Sequence, residues 1–438
     1  MRLHRLGSPV RYLRRPGAGQ PGPSEATPTA DLGHNALALG GDYALFLVGL
    51  SLMSHHTILP AFARHLEAPN VVIGAIPAVM TAGWLLPSLF AAGHTESLAR
   101  KLPFVLRWTA VERLPPLVLA AVAVLLAPAA PGLAVAVTLG LLILLTGIGG
   151  VLMPAWMDIV ARAIPIEVRG RFFGVSSLLA GLGGLAGSLG TAWVLARVAA
   201  PASFAICFLA AFACFVLSFA AFLLVREPEP AAAPRPPVPL GQYLRRVPGL
   251  VRGDGNLARF LVARAVTAAG AMASGFFVVF ALNAWEASDR WAAVYTAAFL
   301  AGQVVANLAF GWIADHTGHR MVLLIGAAAM LGANLGALLA TSLAAFGVVL
   351  ALSGVYQAAV SLSAQNVLIE FSPTPGERPT YVGLGTTAQA PVTIAAPLAA
   401  GVLADGLGFP VMFGLAAAGS LAGLVLFAAC VRDPRHAG

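Results

Sequence analysis

Charge is what this 438-residue chain has least of: only 10% of its residues are Asp, Glu, Lys or Arg, against roughly 25% in a soluble globular domain. With 59% hydrophobic residues and a mean hydropathy of +0.85, that scarcity excludes an ordinary water-soluble protein. Cysteine is nearly absent too. Cys207 and Cys214 share one apolar run and Cys430 ends another, so there is neither a disulfide framework nor a zinc spacing, and all three read as small apolar fillers. The sequence also lacks a glycine-rich phosphate loop, an H-E-x-x-H pattern and a D-x-D cluster. It therefore reads as no enzyme, with no cofactor, no metal and no ATP-driven pumping.

What the chain has in place of charge is long apolar runs. A helix needs about 20 residues to cross roughly 30 Å of hydrocarbon. Windows of that length mark twelve candidate spans, near 43–64, 71–92, 104–127, 133–157, 172–196, 203–225, 258–283, 291–313, 320–340, 344–370, 381–404 and 409–431. Lipid leaves backbone groups unsatisfied unless they pair within the segment, so these runs must be helical. The expected fold class is an all-α, multi-pass integral membrane protein.

The cations fall mainly on one side. Arg2, Arg5, Arg11, Arg14 and Arg15 precede span one, and Arg100 with Lys101 and Arg169 with Arg171 follow on the same side. Arg226, Arg235, Arg245, Arg246, Arg252, Arg320, Arg378, Arg432 and Arg435 extend the series, while the other side holds only Arg64, Arg197 and Arg290. The positive-inside rule then puts both termini in the cytoplasm, with the chain in the cytoplasmic (inner) membrane. The net charge of +8 is spread over helix ends in this pattern, which favours anionic lipid headgroups and argues against nucleic acid.

Residues 226–257 form the longest hydrophilic stretch after the start. Their Pro-rich beginning and the mixed segment PLGQYLRRVPGLV divide the chain into six spans plus six. The expected domains are a basic disordered tail at 1–42, bundles at 43–225 and 258–431 joined by that linker, and a tail at 432–438. The halves echo each other. PIEVRGRFFGV follows span four and TPGERPTYVGL follows span ten, pairing Arg169 with Arg378 and Gly174 with Gly383; Gly170 belongs to the same helix-end segment. A second echo links AAGHTESLARKLPFVL to FGWIADHTGHRMVLL. Two echoes at equivalent loops point to a duplicated fold.

The stretch GWIADHTGHR carries a more specific pattern. Gly311, Asp315, Gly318 and Arg320 resemble the G-x-x-x-D-x-x-G-x-[RK]-[RK] motif of major facilitator superfamily (MFS) transporters, with His319 in place of one basic residue. The resemblance implies two pseudo-symmetric six-helix bundles and alternating access. It also implies a latch: Asp315 ends span eight, where the helix dipole disfavours a carboxylate, and should seek Arg320 or the start of span eleven near Tyr381. Gly318 would permit the turn. The first-half copy is degraded, with Glu96 in the aspartate's place. Gly181 to Thr191, GLGGLAGSLGT, departs from the family's antiporter motif at Ser188 and reads as small residues for close helix packing.

The resemblance places the substrate path between the halves, lined mainly by spans one, four, seven and ten. His55 and His56, beside Ser54, lie inside span one, where an unpartnered polar ring is costly. A wet cavity would make them tolerable, as proton carriers or ligands for an anion. Adjacent helical residues point about 100° apart, so one ring at most should face the cavity squarely. Ser353, Tyr356, Gln357 and Ser361 form a stripe on span ten, continuing to Gln365 and Asn366. Glu112, with Arg113 beside it, is a candidate buried proton carrier. Asp158, near Trp156, Arg162 and Pro154, is either a carrier or part of an ion-pair cluster. Arg264 either snorkels to the surface or faces inward and attracts an anion.

These features predict a secondary transporter for a small solute, a monomer in lipid, driven by a proton or a substrate gradient. A membrane-embedded transferase and a non-transporting MFS-like sensor are the alternatives.

Overall fold

The computed structural model describes residues 31–96, 98, 100–228, 249–372 and 378–433. Twelve of its helices are long and apolar enough to cross a membrane. Most ends agree with the sequence reading to within a few residues, but the first does not. Span one begins at Leu32, so residues 32–42 belong to the bundle and not to a tail. Asp42, the last residue of the expected tail, is buried inside this helix. The rest of the expected N-terminal tail and most of the expected linker lie outside the described residues.

Spans one and seven are interrupted at matching places. Leu32–Leu52 gives way to a turn and resumes as Ile58–His65, and Gly255–Gly270 passes through a short tight-helical turn and resumes as Phe277–Ala284. Each resumed piece has eight residues. Each is followed, two residues past its last, by a glutamate at positive φ: Glu67 at 55° and Glu286 at 46°. That left-handed residue reverses the chain as a helix C-terminus requires. The two halves thus repeat each other in backbone detail that their residue identities do not show.

Span three is also interrupted. Pro115 and Pro116 carry no N–H, so the carbonyls four residues earlier lose their helical donors and the helix Leu102–Glu112 restarts at Pro115. This leaves Glu112 and Arg113 at a helix break.

Each half packs span one or its equivalent seven centrally. Span one lies against five and six, and span seven against eleven and twelve. Between the halves, span two packs on eleven and span five on eight. The glycines of span five make the second contact possible. A Cβ at Gly181 would meet Val304 at 2.6 Å, and one at Gly184 would meet Ser51 at 2.7 Å and Leu300 at 3.1 Å, which agrees with the close-packing reading of that stripe.

Candidate functional site

Hydrogen bonds and an ion pair join the two halves at the end of the bundle opposite the face where Leu32, Gly255 and Cys430 sit. At this opposite end Arg64 donates to Asn283, to the Leu282 carbonyl at 3.4 Å, and to Asp289 at 3.5 Å. Arg64 and Asn283 are each the penultimate residue of a resumed helix piece, so the pair sits near the pseudo-twofold axis. Burial pushes the Asp289 carboxyl up from its ordinary value, against the opposing pull of Arg64 and His65. Asp405, near the end of span eleven, accepts from the backbone N–H groups of Asn70 and Val71 at 3.1 and 3.0 Å and from the Asn70 side chain at 2.9 Å. A carboxylate there satisfies orphan donors at the start of span two and meets the positive end of its dipole.

Deeper in, Thr57 and Thr296 share a buried hydroxyl contact of 2.5 Å. Gly74 lies so close to span eleven that an added Cβ would strike the Pro397 carbonyl oxygen, and one at Gly401 would sit 2.5 Å from the Val71 Cα.

Arg64 and Asp289 are partly exposed, at 28% and 19% of their side-chain area, so screening holds the worth of this ion pair to about 0–1 kcal/mol. Arg64→Ala should raise the rate at which a cysteine placed below this seal is labelled from that side by about 2–5-fold, and the wild-type rate should approach the variant's in high salt.

His55 and His56 lie just beneath the seal, in the unwound stretch of span one and not on a helix. The rule of about 100° between neighbours therefore does not apply: the two rings lie against each other, tilted by 40° with 4.0 Å between centroids, and His56 sits 5.0 Å from Phe299 of span eight. The buried His56 Nδ1 has no hydrogen-bond partner. The backbone N–H of His56 donates to Ser54 Oγ at 3.3 Å.

A second polar centre lies within the N-terminal half. Arg113 donates to Glu112 at 2.8 Å and to Asp42 at 3.4 Å, and its guanidinium lies 4.1 Å from the centre of the Phe46 ring. Ser218 donates to Asp42 at 2.6 Å and accepts from Arg113 at 3.2 Å, while the Trp156 indole donates to the other Asp42 oxygen at 3.0 Å. Asp42, Glu112 and Arg113 are all less than 9% exposed. Glu112 has room because span four is glycine where they meet; a Cβ at Gly149 would fall 2.6 Å from its carboxylate. Sequence reasoning found Glu112 but missed Asp42 and Ser218, which lie far from it in the chain.

The C-terminal half ties its equivalent spans with neutral groups. Asn334 of span nine donates to Ser420 of span twelve at 3.0 Å and to the Gly270 carbonyl of span seven at 2.9 Å. Three spans can thus be joined at this depth without charge, so packing alone does not require the ionic trio in the first half.

Comparison with known proteins agrees with this architecture. Residues 260–438 match the family described as Major Facilitator Superfamily. That match spans the second of the two bundles. The nucleoside transporter NupG superposes with a TM-score of 0.71 at 12% identity, covering 90% of this chain and 99% of that one. A D-xylose-proton symporter gives 0.62 at 16% identity, covering 93% and 98%. A POT family transporter in complex with 5-aminolevulinic acid gives 0.67 at 14% identity, covering 93% and 97%. No curated protein sequence matches significantly. At 12–16% identity these likenesses show the fold, which this chain shares with those transporters.

The MFS-like motif adopts part of its expected geometry. Gly318 has φ 89° and forms the turn, and Gly311 has open space around it. Arg320 does not reach for Asp315. It donates to the carbonyls of Val431, Phe427 and Ala428 at 2.8, 3.0 and 2.9 Å, closing the end of span twelve. Asp315 is exposed, and the inter-half neighbour of its helix is span five, not span eleven. The reason is the pseudo-symmetry: span two takes span eleven, so span eight must take span five. The side chains of Glu96 and Arg378 lie outside the described residues.

Asp158 belongs to an ion-pair cluster of the N-terminal half. It contacts Lys101 at 2.7 Å and Arg162 at 2.6 Å, while Glu227 caps the start of span three through the Lys101 and Leu102 N–H groups. These contacts lie within one half, as the ion-pair alternative for Asp158 expects. Arg169 likewise turns back to the Ala161 and Ile164 carbonyls at 2.8 and 3.0 Å. Gly170 and Gly174 have open space, and Gly383 is partly buried. On span ten Ser353 is buried, Tyr356 and Gln357 are partly buried and Ser361 is exposed.

Proposed function

We propose that this protein is a secondary transporter for a small solute, seen here sealed at the outer side and open toward the cytoplasm. The observation that carries the reading is the set of polar ties that Thr57, Arg64 and Asn70 make across the halves toward one end. Two bundles joined at one end can rock about that seal, and a solute held between them is then exposed to the other side. The cation distribution assigns the open face to the cytoplasm. His55, His56 and Phe299 form the closed floor of the cavity, and the Ser353, Tyr356, Gln357 and Ser361 stripe forms one wall.

Coupling is to protons, through the buried trio. Two carboxylates face one guanidinium, which leaves one surplus negative charge when both are ionised. An unpaired charge in low dielectric is expensive, and one proton on Asp42 or Glu112 removes it. Trp156 of span four donates to Asp42 and stacks on the neighbouring Tyr43, their ring centres 6.0 Å apart, which links the charge state of the trio to span four.

Inverted vesicles containing the full chain, given an imposed pH gradient and a mixture of small solutes, should accumulate at least one of them by untargeted mass spectrometry. Accumulation of none would remove the transport reading. Once a solute is found, Glu112→Gln should abolish accumulation driven by the pH gradient and spare exchange of labelled for unlabelled solute. Equal losses in both assays would take Glu112 out of the coupling role, and unchanged exchange and accumulation in His55→Ala would do the same for that ring.

A further inference from the structure

Arg264 differs from the other embedded cations of this chain. Arg113, Lys101 and Arg162 each lie within ion-pair distance of a carboxylate, whereas Arg264 makes no ion pair among the described residues and has one long hydrogen bond, 3.5 Å to the Ala364 carbonyl. A guanidinium offers five N–H donors. It projects from span seven about 14 Å along the helix from Gly255 at 1.5 Å per residue, too deep for solvent at the surface to serve as its partner without a cavity.

Such a cavity is present, about 60 Å³ in volume and open on one side, bounded by spans seven, nine, ten, eleven and twelve. Its polar lining consists of Arg264, Tyr356, Thr267 and Thr393. The two threonine hydroxyls already donate to their own helices, to the Ala263 carbonyl at 2.8 Å and the Gln389 carbonyl at 3.0 Å. The Tyr356 hydroxyl donates to no described acceptor, and the guanidinium has only the long bond to the Ala364 carbonyl, so both have donors to spare. The remaining wall is apolar, with Val360 and Phe427 among its residues. A single unpaired cation, one free O–H donor and an apolar wall describe the complement of one acidic head on a small apolar body. A volume of this size accommodates ordered water or a carboxylate head in its place.

We propose that this pocket binds the head of a small organic monoanion, with Arg264 as counter-charge and Tyr356 as second donor. That this anion is also the transported solute rests on the transport reading above; its binding does not.

Equilibrium dialysis of the purified full chain in neutral detergent, with radiolabelled benzoate as probe, tests the assignment without any gradient. Benzoate should bind saturably at one site per chain. Unlabelled benzoate should displace it, while its neutral isostere benzamide and inorganic phosphate should not. Arg264→Gln should weaken binding by at least about 10-fold, the order expected for a hydrogen bond to a charged group, and Tyr356→Phe by about 3–10-fold. Displacement by benzamide equal to that by benzoate, or unchanged binding in Arg264→Gln, would overturn the proposal. Displacement by phosphate as strong as by benzoate would overturn its organic character. Should Arg264→Gln not yield folded protein, Arg264→Lys, which keeps the charge but loses the fork, must bind more weakly than wild type and Tyr356→Phe decides alongside it. Failed dialysis leaves alternating access standing, and failed vesicle accumulation leaves the binding result standing.

Discussion

Arg113→Met should destabilise the N-terminal half by about 3–5 kcal/mol, the cost of leaving a buried charge without its partner. The size follows from what remains. Asp42 and Glu112 would both stay buried on elements fixed by their own packing, Asp42 still held by Ser218 at 2.6 Å and by Trp156 at 3.0 Å. Neither could move to water without unpacking span one or the break in span three. The Phe46 ring would also lose the cation 4.1 Å from its centre. The decisive comparison is a triple variant, Asp42→Asn, Glu112→Gln and Arg113→Met, which removes all three charges together. Most of the lost stability should return, because neutral groups already make the equivalent tie through Asn334 and Ser420 in the other half. Thermal unfolding of the purified variants followed by tryptophan fluorescence measures both effects. A triple variant no more stable than Arg113→Met would show that the trio matters for its shape and not for its charge balance.

The second large effect concerns conformation and leaves the fold intact. Gly74→Leu should prevent closure of the seal, because its Cβ would collide with the Pro397 carbonyl oxygen, a backbone atom of the opposite half. Side chains cannot relieve such a clash, but the halves can, by moving apart. Overpacking of about 1–3 kcal/mol applied to the sealed state alone shifts the population roughly 5–150-fold toward its alternative. Spin labels on Glu67 and Glu286, the two helix-ending glutamates on either side of the seal, should report a longer distance in the variant. Gly140→Leu, where the structure shows open space, is the control and should leave the distance as in wild type. Unchanged distances in Gly74→Leu would mean that spans two and eleven do not gate that end.

Much of the fold was legible because lipid imposes a simple rule. A crossing segment must be an apolar helix of minimum length, so composition alone marked all twelve spans. The echo of Arg169 and Gly174 in Arg378 and Gly383 marked the duplication. The interruptions were less legible. Pro115 and Pro116 announce the break in span three, but Met53–Thr57 contains neither glycine nor proline, and its unwinding became visible only beside its counterpart in span seven.

The candidate site was legible in part. Ionisable residues in apolar runs are conspicuous, which is why His55, Glu112, Asp158 and Arg264 could be named from sequence. Their roles could not, since role depends on the partner. Asp158 meets Lys101 and Arg162, Glu112 meets Arg113 and Asp42, and Arg264 meets no carboxylate among the described residues. The assignment of Asp315 to span eleven failed for the same reason, because which helices face each other across the halves is a property of the packed pair.

The sequence by itself determined that this protein spans a membrane with twelve helices in two related halves, because hydrocarbon tolerates no other backbone and the repeat is written in the helix ends. Only the tertiary structure decided which buried charges meet a carboxylate, as Arg113 meets Asp42 and Glu112, and where Arg64 and Asn70 tie the two halves together. Those properties arise from contacts between residues up to 335 positions apart, as between Asn70 and Asp405, and no local pattern encodes them.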